Sequence, residues 1–186
     1  MNNIFINIYN YFKKRKNKTK LNCNKSIVKN DCASQTYKTY TKFVKKHYDT
    51  STINVYKNEK KWLLKLQNSI YFPTLLYYND NLRMLITTDM GKPLDKNDLI
   101  NINIHEKIND LLQELKKYNC RHNDIKPTEL VFKNGNINLV DFGWAYEYNK
   151  SNPPDWPNCL GGKFRGDVYD DEFSINKSII SILLKV

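Results

Sequence analysis

Glycine is scarce in this chain, with 6 in 186 residues, and none of them precedes Gly91. The first half therefore contains no glycine-rich loop, the usual means of bringing backbone N–H groups close to a phosphate. The four cysteines form no C-x-x-C pair, which argues against a zinc knuckle or redox motif and favours reduced thiols. No apolar run approaches the roughly twenty residues of a membrane-spanning helix.

Acidic residues are also few, since 19 Asp and Glu face 30 Lys and Arg and leave a net charge of +11. This charge favours anionic partners such as a nucleotide, a nucleic acid or an acidic membrane, without choosing among them. No specific nucleic-acid-binding motif is present. A hydrophobic content of 40% argues against disorder, and the length suits one domain with two small lobes.

The first 22 residues are predicted to be an apolar and basic tail, separate from a domain that spans 23–186. The apolar positions that share one helical face are Ile4, Phe5, Ile8 and Phe12. Because a basic run follows them, residues 4–20 are a candidate for weak contact with an acidic membrane. A solvated tail or a basic localisation signal is the alternative, and the expected location is the cytoplasm.

The first part of the domain reads as a small sheet with one helix. Residues 25–48 are rich in Thr, Tyr, Val and Phe, which predicts two or three antiparallel strands. The spacing of Trp62, Leu63 and Leu66 predicts a helix after them. Two more strands are expected at 74–78 and 82–88, joined by an Asn-Asp-Asn turn.

The second part begins with a predicted amphipathic helix whose apolar stripe runs from Ile108 to Tyr118. A tight hairpin is expected over 130–140, because Asn and Gly at its centre tolerate the positive φ of such a turn. A loop over 149–168 follows, and a closing helix over 171–184 is expected to bury its apolar residues, namely Phe173, Ile175, Ile179, Ile180, Leu183 and Leu184.

Two motifs bracket the predicted hairpin. The segment from Cys120 to Leu130 (CRHNDIKPTEL) resembles the H-R-D-x-K-P-x-N catalytic loop of protein kinases, and Asp141-Phe142-Gly143 resembles their D-F-G turn. The preceding helix, the lysine two residues after Asp124 and the hairpin between the motifs agree with this resemblance. The chain is therefore identified as similar to the protein-kinase-like superfamily, most of all to compact atypical kinases of the lipopolysaccharide-kinase-like and viral types.

The resemblance implies an α+β fold, protein-kinase-like and two-lobed, with a small antiparallel sheet plus one helix over about 23–90 and a truncated helical lobe over about 91–186. It also implies ATP and Mg²⁺ as cofactors. Asp124 would accept the proton of the acceptor hydroxyl, Lys126 would neutralise the γ-phosphate, and Asp141 would bind the metal. His122 would tie the catalytic loop to the turn at Asp141.

Such kinases also pair a strand lysine with a helix glutamate against the α- and β-phosphates. Lys45 with Glu59 is the predicted pair, and Lys46 is the alternative because a one-residue register error inverts a strand. The backbone of Asp89 and Met90 is expected to meet the adenine before Gly91 leads into the helical lobe.

The chain departs from the family pattern at three places. Glu129 stands where the second metal-binding Asn is expected; a carboxylate can bind Mg²⁺ but adds negative charge there. The turn at 30–34 would have to cover the phosphates without glycine. Asn123 replaces the arginine that reads a phosphorylated loop, so control by loop phosphorylation is not expected. Asp171 is expected to brace the catalytic-loop backbone.

Three functions compete. The first is an ATP- and Mg²⁺-dependent kinase that transfers phosphate to a hydroxyl, with protein Ser/Thr as the first acceptor and a sugar or other small hydroxylated molecule as the second. A pseudokinase that binds nucleotide or a partner without turnover is the alternative, because of Glu129 and the absent glycines. A basic nucleic-acid- or membrane-binding protein is supported by net charge alone.

Overall fold

The computed structural model describes residues 26–30, 34–38, 43–164 and 169–184, with the backbone alone described before Phe43. The predicted tail, with its membrane-contact region, lies outside these residues. The turn that was expected to cover the phosphates does too, since residues 31–33 are not described. Within the described part of the chain, no helix has the length and apolar character needed to cross a membrane.

The first lobe is built on a five-stranded antiparallel sheet, with the spatial order β1-β2-β3-β5-β4. The strands are β1 (Ser26–Asn30), β2 (Ser34–Lys38), β3 (Phe43–Tyr48), β4 (Leu75–Asn79) and β5 (Met84–Thr88). Strand β3 lies at the centre, which sets Lys46 opposite Leu85 in its neighbour. The two or three strands predicted over 25–48 are three, namely β1, β2 and β3, and the pair predicted over 74–88 is present as β4 and β5.

Helix α1 (Ile53–Lys65) joins β3 to β4. Its buried residues recur at helical spacing, and they are Val55, Tyr56, Glu59, Trp62 and Leu63. The helix begins before the predicted Trp62 stripe because Val55 and Tyr56 extend the same buried face by another turn. Glu59 is the acidic residue among the buried ones, so α1 carries a carboxylate into the interior.

The described residues of the second lobe contain three α-helices, several short strands, and 3₁₀ turns at Phe142–Trp144 and Gly162–Phe164. Its elements are β6 (Lys92–Pro93), α2 (Lys96–Ile100), α3 (Ile104–Lys117), β7 (Cys120–Arg121), β8 (Leu130–Lys133), β9 (Asn136–Leu139), β10 (Tyr146–Glu147) and α4 (Asp171–Leu183). Strands β6, β8 and β9 form one antiparallel sheet, and β7 pairs with β10. The β8–β9 turn has positive φ at Asn134 and Gly135, as predicted for a tight hairpin.

The connection between the lobes depends on Gly91. Its φ is +115°, and a Cβ at this position would lie 2.1 Å from the Phe132 carbonyl oxygen. Only glycine allows this backbone to pass so close to strand β8. The chain that leaves the first sheet is therefore fixed against the hairpin of the second lobe.

Helix α4 buries one face, made of Asp171, Ser174, Ile175, Ser178, Ile179 and Ile182. The prediction that Phe173, Ile180 and Leu184 are buried was wrong, since their exposed fractions are 44%, 55% and 73%. These three share the opposite side of the helix, and Ser174 and Ser178 are buried instead. Helical periodicity identified the helix but not which stripe faces the core.

Together these elements confirm the predicted α+β class with a small antiparallel sheet and one helix in the first lobe and a helical second lobe. The hydrophobic core continues from α1 through the hairpin to α3 and α4. The cleft between the sheet and the hairpin is where both motifs meet the first lobe.

Candidate active site

A cleft of about 230 Å³ opens between the two lobes. Apolar side chains form its walls, with Val44 and Leu85 from the sheet and Val131 and Val140 from the hairpin region. Its charged lining residues are Lys46, Glu59, Asp89, Glu129 and Asp141. A concave apolar cleft with a few convergent polar groups is the usual form of a small-molecule site.

Lys46 is the central cation of this cleft and is 8% exposed. Its Nζ lies 2.8 Å from Glu59 Oε2 and 2.5 Å from Asp141 Oδ1, so it joins β3, α1 and the turn after β9. The hydroxyl of Tyr48 also donates a hydrogen bond to Glu59. Burial lowers the pKa of Lys46, but the carboxylates of Asp141 and Glu59 raise it by a larger amount. The net pKa is therefore above that of a free lysine.

The predicted pairing of Lys45 with Glu59 is corrected to Lys46, the alternative named from the sequence. Strand residues alternate between the two faces of a sheet, so Lys45 and Lys46 point in opposite directions. The face covered by α1 is the one that carries Lys46 and Tyr48, both of which are buried. Two adjacent lysines leave this choice open in the sequence, because either one gives an acceptable strand.

Asp141 occupies a left-handed conformation with φ +73° and ψ +69°. Phe142, next in the chain, is fully buried and packs edge-on against the rings of His122 and Phe72, with centroid distances of 4.9 and 5.1 Å. A Cβ on Gly143 would lie 2.6 Å from Val55 Cγ1, so α1 packs directly onto this turn. The buried phenylalanine and the glycine thus turn the Asp141 carboxylate into the cleft.

Asp124 lies in the predicted catalytic loop, where both of its carboxylate oxygens accept hydrogen bonds. Lys126 Nζ donates to Oδ2 at 2.8 Å, and the backbone N–H of Gly161 donates to Oδ1 at 2.6 Å. Asp124 and Lys126 therefore form a close pair, a contact that was not predicted from the sequence. The Gly161 contact was not predicted, because the residues between Tyr148 and Gly161 give no sequence signal for where the loop returns.

The first residue of helix α4, Asp171, holds the loop that carries Asp124. Asp171 is 7% exposed and accepts the backbone N–H groups of His122 at 2.7 Å and Asn123 at 3.1 Å, as the sequence predicted. Burial raises the pKa of the Asp171 carboxyl above its usual value. The Nε2 atom of His122 lies 3.1 Å from the carbonyl oxygen of Val140. This contact ties the loop to the residue before Asp141.

Glu129 is fully buried, and its Oε1 accepts a hydrogen bond from Thr128 Oγ1 at 3.0 Å and lies 3.7 Å from Lys126 Nζ. It lines the same cleft as Asp141. Among the residues described, no group of three or more His, Cys, Asp and Glu side chains is arranged to hold a metal ion. Two carboxylates that leave the other positions to phosphate and water suit Mg²⁺, so the donors present fit that ion.

The predicted hinge residues Asp89 and Met90 line the other end of the cleft. The carbonyl of Asp89 accepts a hydrogen bond from Lys133 Nζ at 2.5 Å, and that of Met90 accepts one from Asn138 Nδ2 at 3.2 Å. Both donors belong to the β8–β9 hairpin. The hinge backbone is therefore held by the second lobe as well as by the strand that precedes it.

Several contacts of the site were missed in the sequence. The sequence contained a signal for the hydrogen bond from Tyr48 to Glu59. Side chains alternate between the two faces of a strand, so Tyr48 lies on the same face as Lys46, two residues before it. The side chains of Asn58 and Asn123, which bond the backbone after Asp141, had no such signal. An asparagine in a helix or loop is common, and its partners here come from distant parts of the chain.

No protein-family model matches this chain, and no curated protein matches it. Among solved structures, the chain is similar to APH(2")-IIa in its ternary complex with streptomycin and ATP. That likeness has a TM-score of 0.48 and 16% sequence identity, and it covers 79% of this chain and 73% of the other. A likeness this weak carries no function, so the residues of the cleft and their geometry alone bear on what this protein does.

Proposed function

We propose that this protein is an ATP- and Mg²⁺-dependent phosphotransferase that acts on a hydroxyl group. The observation that carries the proposal is the buried cluster of Lys46, Glu59 and Asp141 at the inner end of an apolar cleft. Burying a cation between two carboxylates carries a desolvation cost, so such a cluster is weak evidence for a purely stabilising role. Phosphates need both a cation and a metal-binding carboxylate.

The nucleotide base fits between the apolar walls of the cleft. Val44 would cover one face of the ring and Val131 the other, with the backbone of Asp89 and Met90 at its edge. Lys46 would then bind the α- and β-phosphates, oriented by Glu59. Because the lysine is already held in place by two carboxylates, little side-chain entropy is lost when the phosphates bind.

The metal would be held by Asp141, with Glu129 as a second carboxylate. The bound ion would supply positive charge against the negative charge that develops during transfer. Asp141 would share its oxygens between Lys46 and the ion. Glu129 brings a full charge where a neutral amide is usual in the resembled family, which favours tight binding of the ion.

Asp124 would orient the acceptor hydroxyl and take up its proton, and Lys126 would neutralise the transferred phosphoryl group. Their 2.8 Å contact keeps the two groups beside each other. A Ser or Thr hydroxyl of a protein is the proposed acceptor, and a sugar or other small hydroxylated molecule comes second. General-base help of this kind contributes about 10²- to 10⁴-fold in rate.

A binding module without turnover is the second candidate. It is favoured by the Gly161 N–H bond to Asp124 Oδ1, which occupies one oxygen that an acceptor would use. Such a protein would bind the nucleotide and leave its γ-phosphate in place. The two candidates share the nucleotide site and differ only at Asp124.

One experiment separates them. Thermal unfolding with ATP, with and without Mg²⁺, measures binding, and transfer of labelled γ-phosphate to protein and sugar acceptors measures turnover. The transferase predicts stabilisation that increases with Mg²⁺, and transfer that Asp124→Asn and Asp141→Asn both abolish. Nucleotide binding with no transfer to any acceptor would favour the binding module, and no binding at all would refute both.

Contact with an acidic membrane through residues 4–20 and a cytoplasmic location are separate proposals. The first rests on the apolar and basic sequence of that segment alone, and the second on four cysteines that suggest reduced thiols. Co-sedimentation with phosphatidylserine vesicles should fall when residues 1–22 are deleted. Unchanged sedimentation of the shortened chain would contradict the membrane proposal.

A further inference from the structure

The three residues after Phe142 have their carbonyl groups held by two asparagine side chains. Asn58 Nδ2 donates to the carbonyls of Gly143 and Ala145, at 2.9 Å each. Asn123 Nδ2 donates to the carbonyl of Trp144, which lies between them, at 2.8 Å. Successive carbonyls therefore point alternately toward helix α1 and toward the catalytic loop, and each finds an amide donor.

Asn58 precedes Glu59 on α1 and is half-buried. Its amide has two hydrogens, and the two carbonyls account for both of them. The close approach of Val55 to Gly143 shows that α1 lies directly against this backbone. One turn of α1 thus sends Glu59 to Lys46 and Asn58 to the chain that follows Asp141.

Asn123 approaches the same backbone from the catalytic loop. It is 3% exposed, and its φ of +69° is a left-handed conformation that asparagine tolerates better than most residues. Its second amide hydrogen bonds Asn152 Oδ1 at 3.1 Å, and Arg121 bonds the same oxygen at 2.8 Å. The loop beyond the turn is therefore tied to this residue as well.

We propose that Asn58 and Asn123 are positioning residues that hold the backbone after Asp141 so that its carboxylate stays beside Lys46 and is ready for the metal. This inference rests on the proposed phosphotransferase function for its purpose. The metal-binding turn would thus be held by neutral side-chain amides that are part of the fold.

The geometry supports this role over simple packing. Side-chain amides that served only to satisfy buried carbonyls would not need to come from the two elements that carry Glu59 and Asp124. Asn58 and Asn123, which together we call the clamp, are each the sequence neighbour of a proposed site residue. A shift of α1 or of the catalytic loop would break the clamp and separate Asp141 from Lys46 together.

Backbone amide hydrogen exchange tests the clamp without relying on activity. Asn58→Asp keeps the shape and replaces the donor by an acceptor, Asn58→Leu removes the donor without adding charge, and Asn123→Gly removes the other donor while tolerating the positive φ. Asn54→Asp, at an exposed position of the same helix, is the matched control. In the nucleotide-free full chain, the three clamp variants should speed exchange over 141–147 at least 10-fold, and the control less than 2-fold.

Exchange in α3 and in the β8–β9 hairpin should stay within 2-fold of wild type in every variant. Unchanged exchange over 141–147 in the clamp variants would overturn the inference. Faster exchange throughout the chain would overturn it too, because the asparagines would then hold the whole fold and not this turn.

Metal dependence gives the functional readout. For the Asn58 variants, the Mg²⁺ concentration that gives half-maximal stabilisation by ATP should rise at least 10-fold, while ATP binding without Mg²⁺ stays within 3-fold. Equal weakening with and without Mg²⁺ would contradict a role through Asp141. Should the wild-type chain bind no ATP, the proposed function fails, and the exchange measurement still decides whether the asparagines position the turn.

Discussion

Lys46 Nζ and Asp141 Oδ1 lie 2.5 Å apart although 95 positions separate them in the chain. The lysine comes from the central strand of the first lobe and the aspartate from the turn after the hairpin of the second. Both side chains are mostly buried, at 10% and 15% exposed, so the pair is poorly screened by water. The relative position of the two lobes is therefore coupled to the state of this ion pair.

Replacing Lys46 by Met should reduce phosphoryl transfer at least about 100-fold, because the phosphates lose their positioned cation. Lys45→Met is the matched control on the opposite face of the same strand and should change the rate less than about 3-fold. Steady-state kinetics on both variants makes the comparison. Equal loss in the two variants would contradict the assignment of Lys46.

Lys46→Met should also reduce the free energy of unfolding by about 3 kcal/mol, since Glu59 and Asp141 remain buried without their cation. The pKa of Lys46 is raised from 10.5 in the folded state, so its contribution is complete below pH 10.5 and falls only as pH rises beyond that value. The difference between wild type and variant should thus be constant from pH 7 to 10 and shrink near pH 11. Urea unfolding at these pH values measures it, and a difference that shrinks between pH 7 and 9 would be inconsistent with the raised pKa.

Gly91→Ala should cost about 3 kcal/mol, because the new Cβ would meet the Phe132 carbonyl as well as strain a positive φ. Gly135→Ala has the same kind of φ, +78°, but nothing lies within 4 Å of its Cβ. It should cost only about 1 kcal/mol. Thermal or urea unfolding of the two variants isolates the steric part, and similar costs would show that the hinge can move away from β8.

Asp171→Asn should destabilise the fold by about 2 kcal/mol, because the N–H groups of His122 and Asn123 bond different carboxylate oxygens and an amide replaces one of these oxygens by a donor. The exposed neighbour Glu172 supplies the control, and Glu172→Gln should change stability by less than about 0.5 kcal/mol. Hydrogen exchange should show the amides of residues 122 and 123 losing protection in Asp171→Asn alone. Retained protection there would mean that the loop does not need this brace.

Glu129→Gln tests the second metal carboxylate. Removing its charge while keeping its size should raise the Mg²⁺ concentration for half-maximal transfer by about 10-fold, within the range seen when groups around a metal are lost. Thr128→Ala removes the hydroxyl that bonds Glu129 and should have a smaller effect on Mg²⁺ dependence. An unchanged Mg²⁺ requirement in Glu129→Gln would leave Asp141 as the metal carboxylate.

Much of the catalytic side of the cleft followed from local sequence. Asp124 and Lys126 are two residues apart, so their contact needs only the loop between helix α3 and the hairpin. The Asn-Gly turn and the apolar stripes predicted that hairpin and helix, because such patterns report backbone preference and burial within a few residues. The Asp171 brace was predicted from the family resemblance and not from local spacing.

The nucleotide side could not be completed in the same way. Lys45 and Lys46 are chemically identical, and the covering helix α1 alone determines which one meets Glu59. The stripe of α4 that faces the core was predicted wrongly, because that face carries serines and the exposed face carries Phe173, Ile180 and Leu184. Burial of a side chain depends on its neighbours in space, which no short window of sequence contains.

By itself, the sequence determined the types of residue that the cleft contains and the α+β order of strands and helices, since those follow from local periodicity and short motifs. Only the tertiary structure decided that Lys46 is the buried cation, that Gly161 reaches Asp124, and that Asn58 and Asn123 meet on one strand of backbone. Each of these contacts joins residues far apart in the chain, and they are set by the packing of α1 and the catalytic loop against the turn at Asp141.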